Sequence, residues 1–176
     1  IYRLVRAMLF TSFIFLFIFF PIVFCCYCIT KKQWQNFFLL SASLLFYAWG
    51  ESAHVVILIF SIIINYAIGI IVEKLHSSDS LSARFALVLG ILANIFCLGY
   101  YKYVTFIVRS AIDALGIFGI TCSPPSTAIP LPIGISFFTF QTMSYVIDVY
   151  KGATKVQKNR VNYGTYVSMF PQLIAG

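Results

Sequence analysis

Apolar positions in this chain fall in long, nearly unbroken runs separated by short polar gaps. That pattern predicts a series of membrane-spanning helices, since about 20 apolar residues suffice to cross the hydrocarbon core. The first run extends from about Phe10 to Ile29 and stops at Lys31 and Lys32. A second, shorter run covers Trp34 to Trp49 and ends at Gly50-Glu51, and a third reaches from Ala53 to Val72. Glu73 to Arg84 is predicted to be a polar loop holding His76 and a serine cluster. The fourth run begins at Phe85 and is interrupted at Lys102, just after Tyr101. Arg109 to Cys122 is weakly amphipathic, with Arg109 and Asp113 one turn apart, and is predicted to be an interfacial or half-buried helix. Three prolines within Ser123 to Pro130 require a loop there. A last long helix is predicted from Pro132, a residue tolerated in a first turn, to Lys151-Gly152, a usual helix ending. Lys155, Lys158 and Arg160 then form a basic loop, and Val161 to Gly176 opens a further span.

Composition turns this pattern into a class. The chain is 61% hydrophobic and 10% charged, with a mean hydropathy of +0.94. A soluble domain carries about 25% charged residues, so this surface must face lipid. The expected fold is all-α, a polytopic transmembrane helical bundle. Arg3 and Arg6 before the first run superficially resemble a signal peptide, but the run exceeds a typical apolar region of that kind, and Lys31-Lys32 follow instead of a small-residue cleavage site. The pattern proper starts at Met8. Residues 1–7 are a candidate non-native upstream extension, and 8–176 the transmembrane portion.

The net charge is +7, from 12 basic and 5 acidic residues. On a soluble protein this would suggest nucleic acid; here the basic residues occupy the gaps between apolar runs, which excludes that reading. With Lys31-Lys32 cytoplasmic, Glu51 falls outside and the Lys74 to Arg84 loop inside, and the Lys151 to Arg160 loop is also inside provided that Arg109 to Cys122 does not cross. The N-terminus is then outside and the expected location is the cytoplasmic membrane. The five cysteines, Cys25, Cys26, Cys28, Cys97 and Cys122, include no CxxC pair with matching histidine spacing; packing is the favoured reading, with lipidation near Cys25 to Cys28 the alternative. No metal site is expected.

Polar groups inside apolar runs are costly and therefore candidates for function. Gly134, Gln141, Tyr145 and Asp148 recur at spacings of seven, four and three, one helical face that Phe138 completes. Such a face either lines a substrate path or bonds helix to helix, and the residues alone leave both open. Asp148, near the basic loop, is equally able to pair with Lys151 at the interface. Asn65 and Asn94 fit helix-to-helix bonding better. His54 and His76 sit at a span end and in a loop with no orienting partner evident, which makes them solvated histidines rather than general bases. No GxSxG, HExxH, P-loop or GxGxxG motif is present.

Several stretches nevertheless carry a resemblance. Leu131 to Gln141 reads LPIGISFFTFQ and continues through SYVIDVYKG to Gly152; MLFTSFIFLFIFFP starts at Met8, and LLFYAWGE occupies Leu44 to Glu51. Asn65-Tyr66 with Gly69, Asn94 with Lys102-Tyr103 and Phe106, and YVSMFPQLIAG from Tyr166 follow in order. Together these resemble the alginate O-acetyltransferase branch of the membrane-bound O-acyltransferases. Ser52 stands where that branch often has proline, and Phe138 where tyrosine is common. The resemblance implies transfer of an acyl group, usually acetyl, from a thioester such as acetyl-CoA toward hydroxyls of an exported polysaccharide, with no bound cofactor and with an extracytoplasmic transferase as partner. It implies that the family's catalytic histidine lies beyond Gly176, so that the 176 residues alone are inactive. It also makes Gly134, Ser136, Gln141, Tyr145, Asp148 and Gln172 the motif and tunnel candidates. The competing classes are a transporter, whose broken segment around Pro130 to Gly134 would suit discontinuous helices but which lacks repeat symmetry, and a non-catalytic membrane scaffold.

Overall fold

The computed structural model describes residues 13–50, 54–76, 80–117 and 131–175. Among these the chain is helical, without strands. It enters through a π-helical turn, Phe15–Phe19, that runs into α1, Phe20–Ile29. Pro21 explains the wide turn: it has no N–H to donate, and its ring presses on the preceding turn. The Phe20 N–H accordingly reaches the Phe15 carbonyl, five residues back. Thr30 ends α1 in an extended conformation, its hydroxyl donating to the Cys26 carbonyl at 2.6 Å. Then follow α2, Gln35–Gly50; α3, Val55–His76; α4, Ser80–Ile117; α5, Ile135–Tyr150; α6, Arg160–Ser168; and α7, Phe170–Ala175.

Two of these, α3 and α4, are long and apolar enough to cross a bilayer, and their outer faces carry bare rings such as Phe60, Phe85 and Phe96. Large apolar side chains left exposed along helix after helix have lipid as their solvent. This is a membrane protein.

Several predicted boundaries move. The loop expected over Glu73 to Arg84 is much shorter, because α3 continues to His76 and α4 begins at Ser80. Lys102 does not interrupt the fourth span: α4 is one helix of 38 residues that absorbs the segment from Arg109 as well. Lysine is a good helix former, and a charge on an exposed face does not disturb a backbone ladder. Lys102 lies exposed, its ammonium 5.7 Å from the centre of the Tyr103 ring. Conversely, the span expected from Val161 is broken at Met169 into α6 and α7. Pro171 is the cause, for it removes a donor and crowds the carbonyl one turn before it. The proposed extension at 1–7, the loop Ser123–Pro130 and the end of the segment reaching Cys122 lie outside the described residues.

The bundle is centred on α3, which packs along α4 and α5, while α2 packs along α6. Its main core joins Tyr47, Leu58, Ile135, Phe138, Tyr163, Val167 and Leu173. A phenylalanine cluster ties the chain's start to α2 and α7: Phe15 meets Phe46 edge-on at 5.2 Å and Phe170 at 5.9 Å. A valine-rich cluster of Val72, Leu87, Val146, Val149 and Val156 closes the end where α5 leaves the bundle. Between α3 and α4, Asn65 and Asn94 form a reciprocal amide pair, with bonds of 3.1 and 2.7 Å. They bond helix to helix, as expected of buried amides in a membrane.

Candidate functional site

The predicted polar face of α5 is a real face, and it turns toward α6, α7 and the segment 151–159. Gly134 starts it. Its φ of +74° is a conformation only glycine adopts freely, and a Cβ there would fall on the Leu173 carbonyl oxygen. So α7 crosses the start of α5 in backbone contact. The Tyr47 hydroxyl donates to the adjacent Ile133 carbonyl at 3.0 Å, fixing the approach to the turn from the side of α2.

Gln141 comes two turns later, beside the break between α6 and α7. Its Nε2 donates to the Tyr166 carbonyl at 2.9 Å and to Gln172 Oε1 at 3.3 Å. The last carbonyls of a helix have no partner within it, and Gln141 supplies one of them. Ser43 does the same for the other strand of the break, accepting from the Phe170 N–H at 3.4 Å. The structure thus brings Gly134, Gln141 and Gln172 together around the elbow. Gln141 Oε1 is buried and has no hydrogen-bond partner. Ser136, off this face by the helical spacing, is half-buried in the first turn of α5.

Tyr145 and Asp148 belong to a second grouping, at the C-terminal half of α5. They line a cavity of about 350 Å³ together with Thr154, Lys155 and Gln157 of the connecting segment and Asn162, Tyr163 and Tyr166 of α6. Lys155, and not Lys151, shares the cavity with Asp148. The back wall is aromatic: Tyr163 packs 4.8 Å from Tyr145 and 5.5 Å from Tyr66, centre to centre. Tyr163 is 1% exposed and its hydroxyl has no hydrogen-bond partner. At nine residues, α6 is too short to span a bilayer, and burial pushes the Tyr163 phenol far above its usual range, so it stays protonated as a donor.

The segment 151–159 has no regular structure, yet its backbone is held at three points. The Val156 N–H donates to Glu73 Oε1 at 3.0 Å, the Gln157 N–H to the Tyr145 hydroxyl at 2.8 Å, and the Lys158 carbonyl accepts from the Tyr66 hydroxyl at 2.7 Å. Asn159 then caps α6, its side chain accepting from the Val161 N–H at 2.9 Å. A cavity assembled from a loop, two helices and a distant carboxylate was beyond periodicity, which found only the α5 contribution. Tyr163, Asn162 and Glu73 went unflagged, and Tyr166 was noted only as the start of a motif. The asparagine before Arg160, a residue type that starts helices, is a signal that could have located the beginning of α6.

Neither histidine joins these groups. His54 immediately precedes α3 and His76 ends it, about 33 Å away along a helix of 22 residues. His76 is exposed against the ring of Tyr150, 5.3 Å between centres. Among the described residues no cluster of His, Cys, Asp and Glu is arranged to hold a metal ion.

No family model and no solved structure matches the chain. Curated proteins do. The probable alginate O-acetylase AlgI of Pseudomonas aeruginosa is 37% identical over 169 residues, which is 96% of this chain and 32% of that protein. Its counterpart in Pseudomonas syringae pv. tomato is 38% identical over 171 residues, with the same coverage of both chains. A peptidoglycan O-acetyltransferase of Helicobacter pylori is 30% identical over 209 residues, 98% of this chain and 37% of that one. The chain therefore spans about a third of the length of the curated relatives it matches. Identity at this level along 96% or more of the chain, joined to the ordered motifs its helices carry, makes the chain similar to the N-terminal third of alginate and peptidoglycan O-acetyltransferases.

Proposed function

We propose that this chain is the N-terminal membrane part of an enzyme that transfers acetyl groups toward the hydroxyls of an exported polysaccharide. The observation that carries this is the similarity along 96% or more of the chain to proteins named as O-acetylases of two different glycans, alginate and peptidoglycan. The acyl donor in this reading is a thioester such as acetyl-CoA. A hydroxyl oxygen attacks its carbonyl, a histidine takes the proton, and the thiolate leaves. That histidine is neither His54 nor His76, given their positions at the two ends of α3, and comes from outside the 176 residues. The partially buried face of Gly134, Gln141, Tyr145 and Asp148, with Gln172 opposite and Ser136 at its start, lines or supports the substrate path.

Three basic segments gathered at one side of the bundle support the orientation taken in this reading. Glu73, beside Lys74, bonds the segment that carries Lys155, and Asn36, just after Lys31-Lys32, bonds Asn162 at 2.9 Å. In the cytoplasmic membrane this side faces the cytoplasm and the N-terminus lies outside. An extracytoplasmic transferase then completes acetylation of the glycan. The test is deletion of the gene in its host, with acetyl ester content of the exported polysaccharide read by NMR. Loss of ester on deletion, restored by the intact gene, is the expected result. Unchanged acetylation after a clean deletion would refute the proposal.

A further inference from the structure

Two pairs of carboxamides sit inside the bundle, and they are built differently. Asn65 and Asn94 satisfy each other with reciprocal bonds of 3.1 and 2.7 Å, as amides that only join helices should. Gln141 and Gln172 share a single bond, from Gln141 Nε2 to Gln172 Oε1 at 3.3 Å. The cause is the Tyr166 carbonyl, which can only accept. It holds Gln141 Nε2 toward the α6–α7 elbow at 2.9 Å and leaves Gln141 Oε1 buried without a partner. Because Gln141 presents a donor, Gln172 must answer with its oxygen, so Gln172 Nε2 turns away from the pair. That nitrogen bonds to nothing among the described residues, and Gln172 is exposed. An amide pair serving stability alone would not leave one acceptor and one donor unused.

Gln141 lies about 9 Å from the start of α5 and about 14 Å from its end, so both carboxamides stand at mid-depth in the bundle. Beside them the helix breaks at Met169, between α6 and α7. At membrane depth a free carboxamide is not left against hydrocarbon, and broken helices with polar groups near the midplane mark substrate sites. We infer that Gln172 Nε2 donates to the acyl carbonyl oxygen during transfer, with Gln141 as the positioning residue that fixes its amide. This rests on the acyl-transfer reading. The acceptor hydroxyl oxygen attacks the thioester carbonyl carbon, and its proton passes to the histidine base. The carbonyl π electrons move onto oxygen, where the Gln172 N–H meets the negative charge; collapse restores the carbonyl as an ester and expels the thiolate. A nitrogen that can only donate suits that oxygen, and not the attacking hydroxyl, whose lone pair must stay free.

The test returns the intact gene and its variants to the deletion host and reads the rate of acetyl ester accumulation on the exported polysaccharide at matched protein level. A wild-type gene that restores no ester overturns the acyl-transfer reading and this inference with it. With wild type active, Gln172→Leu and Gln172→Glu are each expected to lose about 100-fold or more, the usual cost of one oxyanion donor. Gln141→Leu is expected to lose about tenfold alone and nothing further on top of Gln172→Leu. Gln172→Glu decides the matter, because its carboxylate still accepts from Gln141 Nε2 but has no proton to give; purified in detergent, it should unfold at the wild-type temperature. If Gln172→Glu works within about threefold of wild type, or loses activity only together with its unfolding temperature, Gln172 is a packing residue and the inference falls while acyl transfer stands. Losses from Gln141→Leu and Gln172→Leu that simply multiply would remove the positioning role.

Discussion

Replacing Asn94 by leucine tests the polar joint between α3 and α4. The substitution keeps the number and branching of side-chain heavy atoms, so the chief loss is hydrogen bonding. In the native pair, Asn65 Oδ1 accepts from Asn94 Nδ2 at 2.7 Å, and Asn65 Nδ2 donates back at 3.1 Å. Asn65 Nδ2 also donates to the Ser61 carbonyl at 2.9 Å, so it keeps a partner when Asn94 is gone. Its Oδ1 does not: at 1% exposure, Asn65 is left with an acceptor that neither water nor protein reaches. An orphaned buried acceptor costs about 1–3 kcal/mol, and a lost interhelical bond in a membrane about 0.6 kcal/mol on average. The single variant is therefore expected to lose about 2 kcal/mol. Asn65→Leu/Asn94→Leu removes both partners, orphans nothing, and should lie within about 1 kcal/mol of wild type. The assay is a double-mutant cycle on unfolding free energies, by steric trapping in bicelles. A single variant within about 0.5 kcal/mol of wild type, or a double variant as costly as the two singles summed, would refute the account.

Gly134→Ala should be among the most damaging small substitutions, costing about 2–4 kcal/mol from the left-handed backbone and the collision with the Leu173 carbonyl; thermal unfolding in detergent measures it. Tyr145→Phe removes the acceptor for the Gln157 N–H and should cost about 1 kcal/mol while exposing segment 151–159 to limited proteolysis, which mapping of the cut site would check. Glu73→Gln keeps a carbonyl oxygen for the Val156 N–H and should leave cleavage of that segment within about twofold of wild type, whereas Glu73→Ala should accelerate it severalfold. Gln141→Leu strips the Tyr166 carbonyl of its donor at the α6–α7 elbow and should lower stability by about 1–2 kcal/mol, read by the same unfolding assay.

The helices that run through α1 to α4 could be read from the sequence because lipid imposes a simple demand, long apolar runs, and the chain meets it openly. The same logic found the amide pair, since an asparagine amid isoleucines has few other purposes. It failed where charge was taken for punctuation, at Lys102 and at Glu73 to Arg84, because a helix is stopped by lost donors and strained backbone rather than by polarity. It failed in the opposite direction at Pro171, a breaker inside an apolar run that looked like a span. The stripe on α5 was legible as a face, but its counterpart was not: Tyr163, Tyr166 and Glu73 meet it only after the segment 151–159 folds back. Contacts made through an irregular backbone leave no period to detect.

The length of α4 has a consequence for depth in the bilayer. At 38 residues it is about 57 Å long, while the hydrocarbon layer is about 30 Å thick. Even at a tilt of about 40°, near the upper end for membrane helices, it would project about 44 Å along the normal and overshoot that layer by about 14 Å. Since its start, with Arg84, belongs to the basic side, the excess emerges on the other, and it carries Arg109 and Asp113 with it. The helix is therefore long enough to stand above the membrane plane on the side away from the basic segments. Membrane thickness then becomes a variable of the protein: a thicker bilayer would draw the helix inward and bring those two charges toward the lipid, so growth conditions that alter acyl-chain length should shift how far it reaches.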